Sequence, residues 1–234
     1  RLLINEVLAD NDGVFNHEGS FPDFIEIWND SPQARDVSRM VLSDREDVSD
    51  GWIFPPNTVI APGGYLLVFA NEQDFTSGLH SGFRLDKDGE SLFLFDSPLR
   101  GGGLIDRVEF GFQLAGRSIG RDPGGQKFSA MIPTPGSPNK APIPLGPAGG
   151  VVINEWLATS RVVYDNDFLE LYNSGSLPVS LAGMMVSDDP NNRPARHVVA
   201  PLSFIDAGGF VEFIADDDSS RGPNHLGFKL SKLM

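Results

Sequence analysis

"DFIEIWNDS", residues 23–31, and "DFLELYNSG", residues 167–175, are near-copies 144 positions apart. Each sets apolar residues at alternate positions around a glutamate and then ends on asparagine and small polar residues. Alternation of this kind predicts a β-strand with one buried face. On that reading Ile25 and Ile27 point into a core, Glu26 points to solvent, and Asn29 opens a turn.

The echo extends outward in both directions. "INEVLA" (4–9) matches "INEWLA" (153–158), and "VSRMVLSD" (37–44) matches "LAGMMVSD" (181–188). "PGGYLLVFANE" (62–72) matches "AGGFVEFIADD" (207–217), and "LHSGFRLDK" (79–87) matches "NHLGFKLSK" (224–232). Five matches in one order, at offsets between 144 and 149, indicate a tandem duplication. Met234 aligns with Gly89, so about 50 residues of the first copy, including "ESLFLF", "LIDRVEF" and "TPGSPN", have no counterpart in the second. The second unit is therefore expected to be truncated. The alternative is that a neighbouring chain supplies the missing strands by swapping.

Short apolar runs between turn signals ("FIEIW", "YLLVF", "SLFLF", "DRVEF", "FVEFI") and the lack of a sustained 3.6-residue period predict an all-β fold. "APGGY" (61–65) and "DAGGF" (206–210) place paired glycines just before a strand. Asp88-Gly89 stands between two apolar runs and predicts a hairpin. Residues 132–150 hold six prolines and four glycines. A semi-rigid linker is expected there, which divides the chain into a sandwich over 1–139, a linker over 140–150 and a second, incomplete sandwich over 151–234.

Composition narrows the function. The 234 residues carry a net charge of −14. Residues 1–140 have 12 basic against 21 acidic side chains, and residues 141–234 have 6 against 11. Both halves repel phosphate, so no nucleic-acid partner is expected, and anionic membrane surfaces are disfavoured for the same reason. No apolar run approaches the roughly 18–20 residues of a spanning helix, so no membrane insertion is expected. With no cysteine there is neither a disulfide framework nor a thiolate metal site. The start at Arg1, without initiator methionine or signal peptide, is read as that of a piece of a longer or processed protein.

The ordered segments Ile-Asn-Glu-Val (4–7), Phe-Ile-Glu-Ile-Trp-Asn (24–29), a Ser-Asp turn (43–44) and "FPPNTVIAPGGYLLVFA" (54–70) resemble the lamin tail domain. "PTPGSPN" (133–139) is similar to the ending of bacterial members of that family. The resemblance implies two tandem immunoglobulin-like β-sandwiches, the second truncated, with no catalytic residues. In prokaryotes such modules sit in multidomain secreted or surface proteins. The chain departs from nuclear lamins in its acidity and in lacking rod-type heptads, so filament assembly and DNA contact are not implied.

Each candidate site also has a structural explanation. Four histidines (His17, His80, His197, His225) form no H-x-H or H-x-x-x-H pair, and no G-x-S-x-G elbow is present. His80 and His225 align in "H-x-G-F" and suit packing at a strand entry better than ligation. Glu6/Glu155 and Glu26/Glu170 also align. Paired carboxylates can do acid–base work, but polar positions on a half-buried strand look the same. Calcium needs clustered oxygen donors. The acidic loops make Asp10, Asp12, Asp86, Asp88 and Glu90 the candidate ligands, although Asp-Gly turns explain them without a metal. Thr159-Ser160-Arg161 replaces Asp10-Asn11-Asp12 in the second copy, which weighs against an intrinsic site. Trp28, Trp52 and Trp156 are candidate stacking platforms. Trp28 is predicted to be exposed opposite Ile25 and Ile27, with Tyr172 in its place in the second copy, as a contact surface.

These readings predict a non-catalytic structural or interaction module of a larger secreted or cell-surface bacterial protein, placed outside the cell or on its surface. One alternative is a carbohydrate- or protein-binding module assisted by calcium. Another is an accessory domain of an extracellular enzyme whose catalytic part lies outside this chain.

Overall fold

The tripeptide Ile-Asn-Glu does the same thing twice. Pairing between Leu2–Leu8 (β1) and Phe24–Asn29 (β2) is antiparallel and slips by one residue between Ile4 and Glu6. Val151–Leu157 (β12) and Asp167–Asn173 (β13) slip at the matching place, between Ile153 and Glu155. A bulge of this sort lets two residues of one strand oppose one of its partner. Asn5 and Asn154 are the extra residues.

The computed structural model describes residues 1–72, 76–158 and 166–230. Thr159, Ser160 and Arg161 lie outside the described residues. The chain divides into two compact units. The first comprises Arg1–Asp86, Ser91–Glu109 and Ala115–Ile143; the second comprises Lys87–Glu90, Phe110–Leu114 and Pro144–Met234.

In the first unit the elements that follow β2 are Arg35–Asp36 (β3), Val41–Ser43 (β4), Trp52–Ile53 (β5), Val59–Ile60 (β6) and Tyr65–Phe69 (β7). Glu90–Phe95 (β8), Leu104–Phe110 (β9), Ser118–Arg121 (β10) and Phe128–Met131 (β11) follow. They build a five-stranded sheet in the order β11-β10-β1-β2-β7, a four-stranded sheet β5-β4-β8-β9 and a short β3-β6 pair. This is an immunoglobulin-like all-β sandwich. Its core includes Ile4, Ile25, Ile27, Leu42, Val68 and Leu92, all fully buried.

The second unit repeats part of this order. Beside β12 and β13 it has Val179–Ser180 (β14), Met185–Val186 (β15), His197–Val198 (β16), Phe204–Ile205 (β17) and Phe210–Ala215 (β18). The pairings β12-β13-β18, β14-β17 and β15-β16 mirror β1-β2-β7, β3-β6 and β4-β5. Among the described residues nothing takes the place that β10 occupies beside β1 or β8 beside β4. The core holds Leu169, Leu171, Val179, Leu181 and Phe213, and Phe112 packs into it.

The predicted hairpin at Asp88-Gly89 is corrected by the structure. Gly89 has φ of +123° and turns the chain into β8, but residues 83–86 form no strand. Both neighbours of β8 are already taken, by β4 and β9, so a preceding run has no edge to pair with. The described residues contain no helix long and apolar enough to cross a membrane.

Candidate functional site

The acid–acid pair of the first unit is the most chemically distinctive place in it. The bulge sets Glu6 opposite Glu26 in register, and both side chains are fully buried. Glu6 Oε1 accepts from Ser118 Oγ at 2.5 Å and from Thr134 N at 2.9 Å, and Oε2 accepts from Thr134 Oγ1 at 3.0 Å. Glu26 Oε1 accepts from Asn5 Nδ2 at 2.7 Å, and Oε2 from Gly136 N at 2.6 Å. Asn139 closes the group: its Nδ2 donates to Arg121 O at 2.8 Å, and its Oδ1 accepts from Asn5 Nδ2 at 3.1 Å.

The prediction that Glu26 faces solvent is therefore corrected. Alternation assigned it rightly to the face opposite Ile25 and Ile27. That face is not open, because the 134–139 turn lies over it.

Burial dominates the electrostatics. Desolvation drives the Glu26 carboxyl up to about 7, against hydrogen bonds from Gly136 and Asn5 and with help from the neighbouring Glu6 charge. Desolvation also raises Glu6, which Ser118 and Thr134 partly offset. Asp23, half-buried just before β2 and accepting from Asn11 N at 2.9 Å, is pushed up to about 6, chiefly by desolvation. Raised carboxylates often mark active sites, but structural networks produce them too. Here every described partner belongs to the fold, and neither glutamate reaches solvent to meet a substrate. The pair can hold a proton near neutrality; it has no open position in which to use one.

Beside it, Arg121 forks onto both oxygens of Asp106 at 2.9 and 2.8 Å and donates from Nε to Ile4 O at 2.7 Å. Its guanidinium stacks 4.4 Å over the Phe128 ring. Fork geometry and stacking are what arginine offers over lysine.

The histidines sit in structural positions. His80 Nδ1 lies 2.7 Å from Asn71 Oδ1, and His225 Nδ1 lies 2.8 Å from Asp216 Oδ2, at matching places in the two copies. Each adds a parallel bridge to the strand before it, to Phe69 and to Ile214. His197 packs edge-on to Phe213 at 5.5 Å, and burial lowers its pKa. His17 stacks on Phe69 at 4.0 Å.

The calcium candidates fall on two stretches of the chain, residues 10–12 and 86–90. Asp10 and Asp12 share the loop after β1, where Asp10 O accepts from Asp12 N and Gly116 N. Asp86 belongs to the first unit, and Asp88 and Glu90 to the second. Lys87 Nζ lies 3.6 Å from Asp88 Oδ1. Among the described residues no three of His, Cys, Asp or Glu gather as a metal-binding group.

Trp28 is half-buried, which corrects its predicted exposure. It pairs across strands with Tyr65 and stacks on it at 6.2 Å. Tyr172 stacks on Phe210 at 4.7 Å in the equivalent pair. Trp52 meets Phe54 edge-on at 4.7 Å, whereas Trp156 is exposed.

Sequence reasoning missed Ser118, Thr134, Gly136 and Asn139 as partners of the carboxylates. The last three lie within "TPGSPN", which was readable as an ending but not as a cover. No characterised protein and no solved structure matches the chain. Residues 1–112 match the family model of the lamin tail domain.

Proposed function

We propose that the chain is a non-catalytic structural and interaction module of a larger secreted or cell-surface bacterial protein. The observation that carries this reading is the burial of Glu6 and Glu26. This carboxylate pair of the first unit is closed to solvent and spends its acceptors on Ser118, Thr134, Asn5 and Gly136. The lamin-tail match over residues 1–112 and the net charge of −14, which keeps a protein soluble by self-repulsion, support the same view. The test is turnover of chromogenic ester, phosphate and glycoside substrates by the intact chain. No turnover above buffer is expected; turnover abolished by Glu26→Gln would overturn the reading.

A binding role for carbohydrate or protein is favoured by one observation, the recurrence of a cross-strand aromatic pair at Trp28–Tyr65 and Tyr172–Phe210. Phe210 is exposed. A glycan array probed with the wild type and with the Trp28→Ala/Tyr172→Ala variant tests it. Glycan binding lost in the variant, with the melting curve kept, supports this role. A calcium-dependent rise in Tm would add the metal to it, and an unchanged Tm with calcium or EDTA would remove it.

A further inference from the structure

Equivalent residues in the two units differ sharply in exposure. Leu3, Ile4, Val7 and Val41 of the first unit are 7%, 0%, 1% and 0% exposed. Their counterparts in the second, Val152, Ile153, Trp156 and Met185, are 47%, 59%, 65% and 62% exposed. With Leu169 and Phe228 they line an open apolar groove of about 490 Å³. Contiguous apolar surface of this kind on a soluble fold marks an interaction site.

The first unit shows what chemistry covers such a face. There β10 pairs antiparallel with β1, Glu6 opposite Gly120 and Val7 opposite Ile119. Ile119 is buried, while Ser118 donates to Glu6. Thr134 and Gly136 then donate over the other face to Glu6 and Glu26. In the second unit Glu155 and Glu170 stand in the same register. Glu170 Oε1 accepts from Asn154 Nδ2 at 2.6 Å, as Glu26 does from Asn5. Glu212 stands opposite Glu170 in the next strand, and its pKa is raised by burial and by the Glu170 and Asp88 charges. Among the described residues no strand pairs with the outer edge of β12, which has an apolar groove on one face and a row of carboxylates on the other.

We propose that this edge is the docking site for an extended polypeptide segment of the chemistry of residues 118–139: a strand alternating hydroxyl and apolar side chains, followed by a turn that offers hydroxyl and backbone N–H donors. Strand addition to an open sheet edge is a general mode of peptide recognition, with main-chain bonds giving affinity and alternate pockets giving specificity. Charge complementarity selects this occupant over a second copy of the chain. Residues 115–139 carry three basic side chains and one acidic one, whereas a second copy would bring another glutamate row and a net charge of −14 to the same face. In an intact copy, moreover, residues 118–139 are already engaged with β1.

The inference deepens the interaction-module reading and rests on it. A chain that binds the segment yet turns over substrate would defeat that reading alone; a chain that does neither would defeat this one alone. The experiment is titration of the full chain with a synthetic peptide of residues 115–139, followed by the Trp156 indole resonance and by calorimetry. Saturable 1:1 binding that moves the Trp156 signal is expected, weakened at least tenfold by Ile153→Asp. A peptide carrying Ser118→Ala and Thr134→Val is expected to bind about tenfold more weakly. Spectral dispersion checks that Ile153→Asp folds, and Trp156→Ala, read by calorimetry, replaces it if it does not. No Trp156 shift, a shift indifferent to the groove variant, or a chain dimer dissolved by that variant each overturns the proposal.

Discussion

Glu6 and Glu26 oppose each other across β1 and β2, without solvent exposure, and their described hydrogen-bond donors are all neutral: Ser118, Thr134, Asn5 and Gly136. Two carboxylates in such contact cannot both ionise cheaply in a dry interior. The fold accepts the cost because three of the four oxygens anchor a distant segment, residues 118 and 134–136, to the first hairpin, while the fourth accepts from Asn5 within it. The pair works as a proton-holding clasp.

Stability should therefore fall as pH rises through the acid-to-neutral range. The folded pKa of Glu26, about 7, lies above its ordinary 4.5; Glu6 is also raised, and Asp23 reaches about 6. For a raised group the folded state binds the proton more tightly. Its contribution is complete below the ordinary value and is lost as pH climbs through the folded one. On the other side Asp122 is lowered by backbone hydrogen bonds, Gln126 N foremost, and favours folding above its ordinary 3.8. Tm should peak near pH 4.5–5 and drop by about 5 °C or more towards pH 8. Scanning fluorimetry across pH checks it, and Glu26→Gln should flatten the slope.

Removing a donor from the clasp should cost stability without touching the apolar core. Thr134→Val keeps the shape and deletes the hydroxyl that donates to Glu6 Oε2 at 3.0 Å. A buried acceptor left short of a partner costs about 1–3 kcal/mol. Urea denaturation should show a lower midpoint with an unchanged slope, and the loss should shrink as pH falls, because burial favours the protonated form of Glu6.

Asn29 and Asn173 should be equally intolerant of change. Asn29 Nδ2 donates to Gln33 O, Ile60 O and Ala61 O at 2.8, 3.1 and 2.9 Å, and Asn173 Nδ2 donates to Leu177 O and Asp206 O, both at 2.9 Å. Each staples the paired-glycine turn to its strand. Aspartate at either place would aim a charge at carbonyl oxygens. Asn29→Asp and Asn173→Asp should each lose more than the corresponding alanine variant, by about 1 kcal/mol or more, in matched urea melts.

Local signals carried much of this structure. The Asn-plus-small-polar ending of both echoes correctly marked a turn, and Ile25 and Ile27 lie in the core as alternation requires. What failed was non-local. Glu26 is covered by Gly136, 110 residues away, and Glu6 by Ser118, 112 residues away. Periodicity reports which face a side chain takes, not what the chain later lays over that face. The Asp88-Gly89 turn was legible as a turn, but the pairing of β8 with β4 and β9 depends on contacts that a short window cannot contain.

The same non-locality singles out Phe112. It is buried with Leu169, Leu171 and Phe213 in the second unit's core, and it meets the Phe213 ring edge-on at 5.1 Å. Its carbonyl accepts from Phe204 N at 2.8 Å, and Gly111 N donates to Pro201 O at 3.0 Å, so the backbone is fixed on either side of the ring. Nothing in residues 151–234 would identify it, since it lies inside the first copy of the repeat. Phe112→Ala should leave a cavity that the anchored backbone cannot close, at a cost of about 3–5 kcal/mol. Hydrogen exchange should show it as lost protection at Leu169, Leu171 and Phe213. Phe112→Leu, which keeps most of the volume, should retain that protection, whereas equal loss in both variants would mean that the ring's volume is not what holds this core.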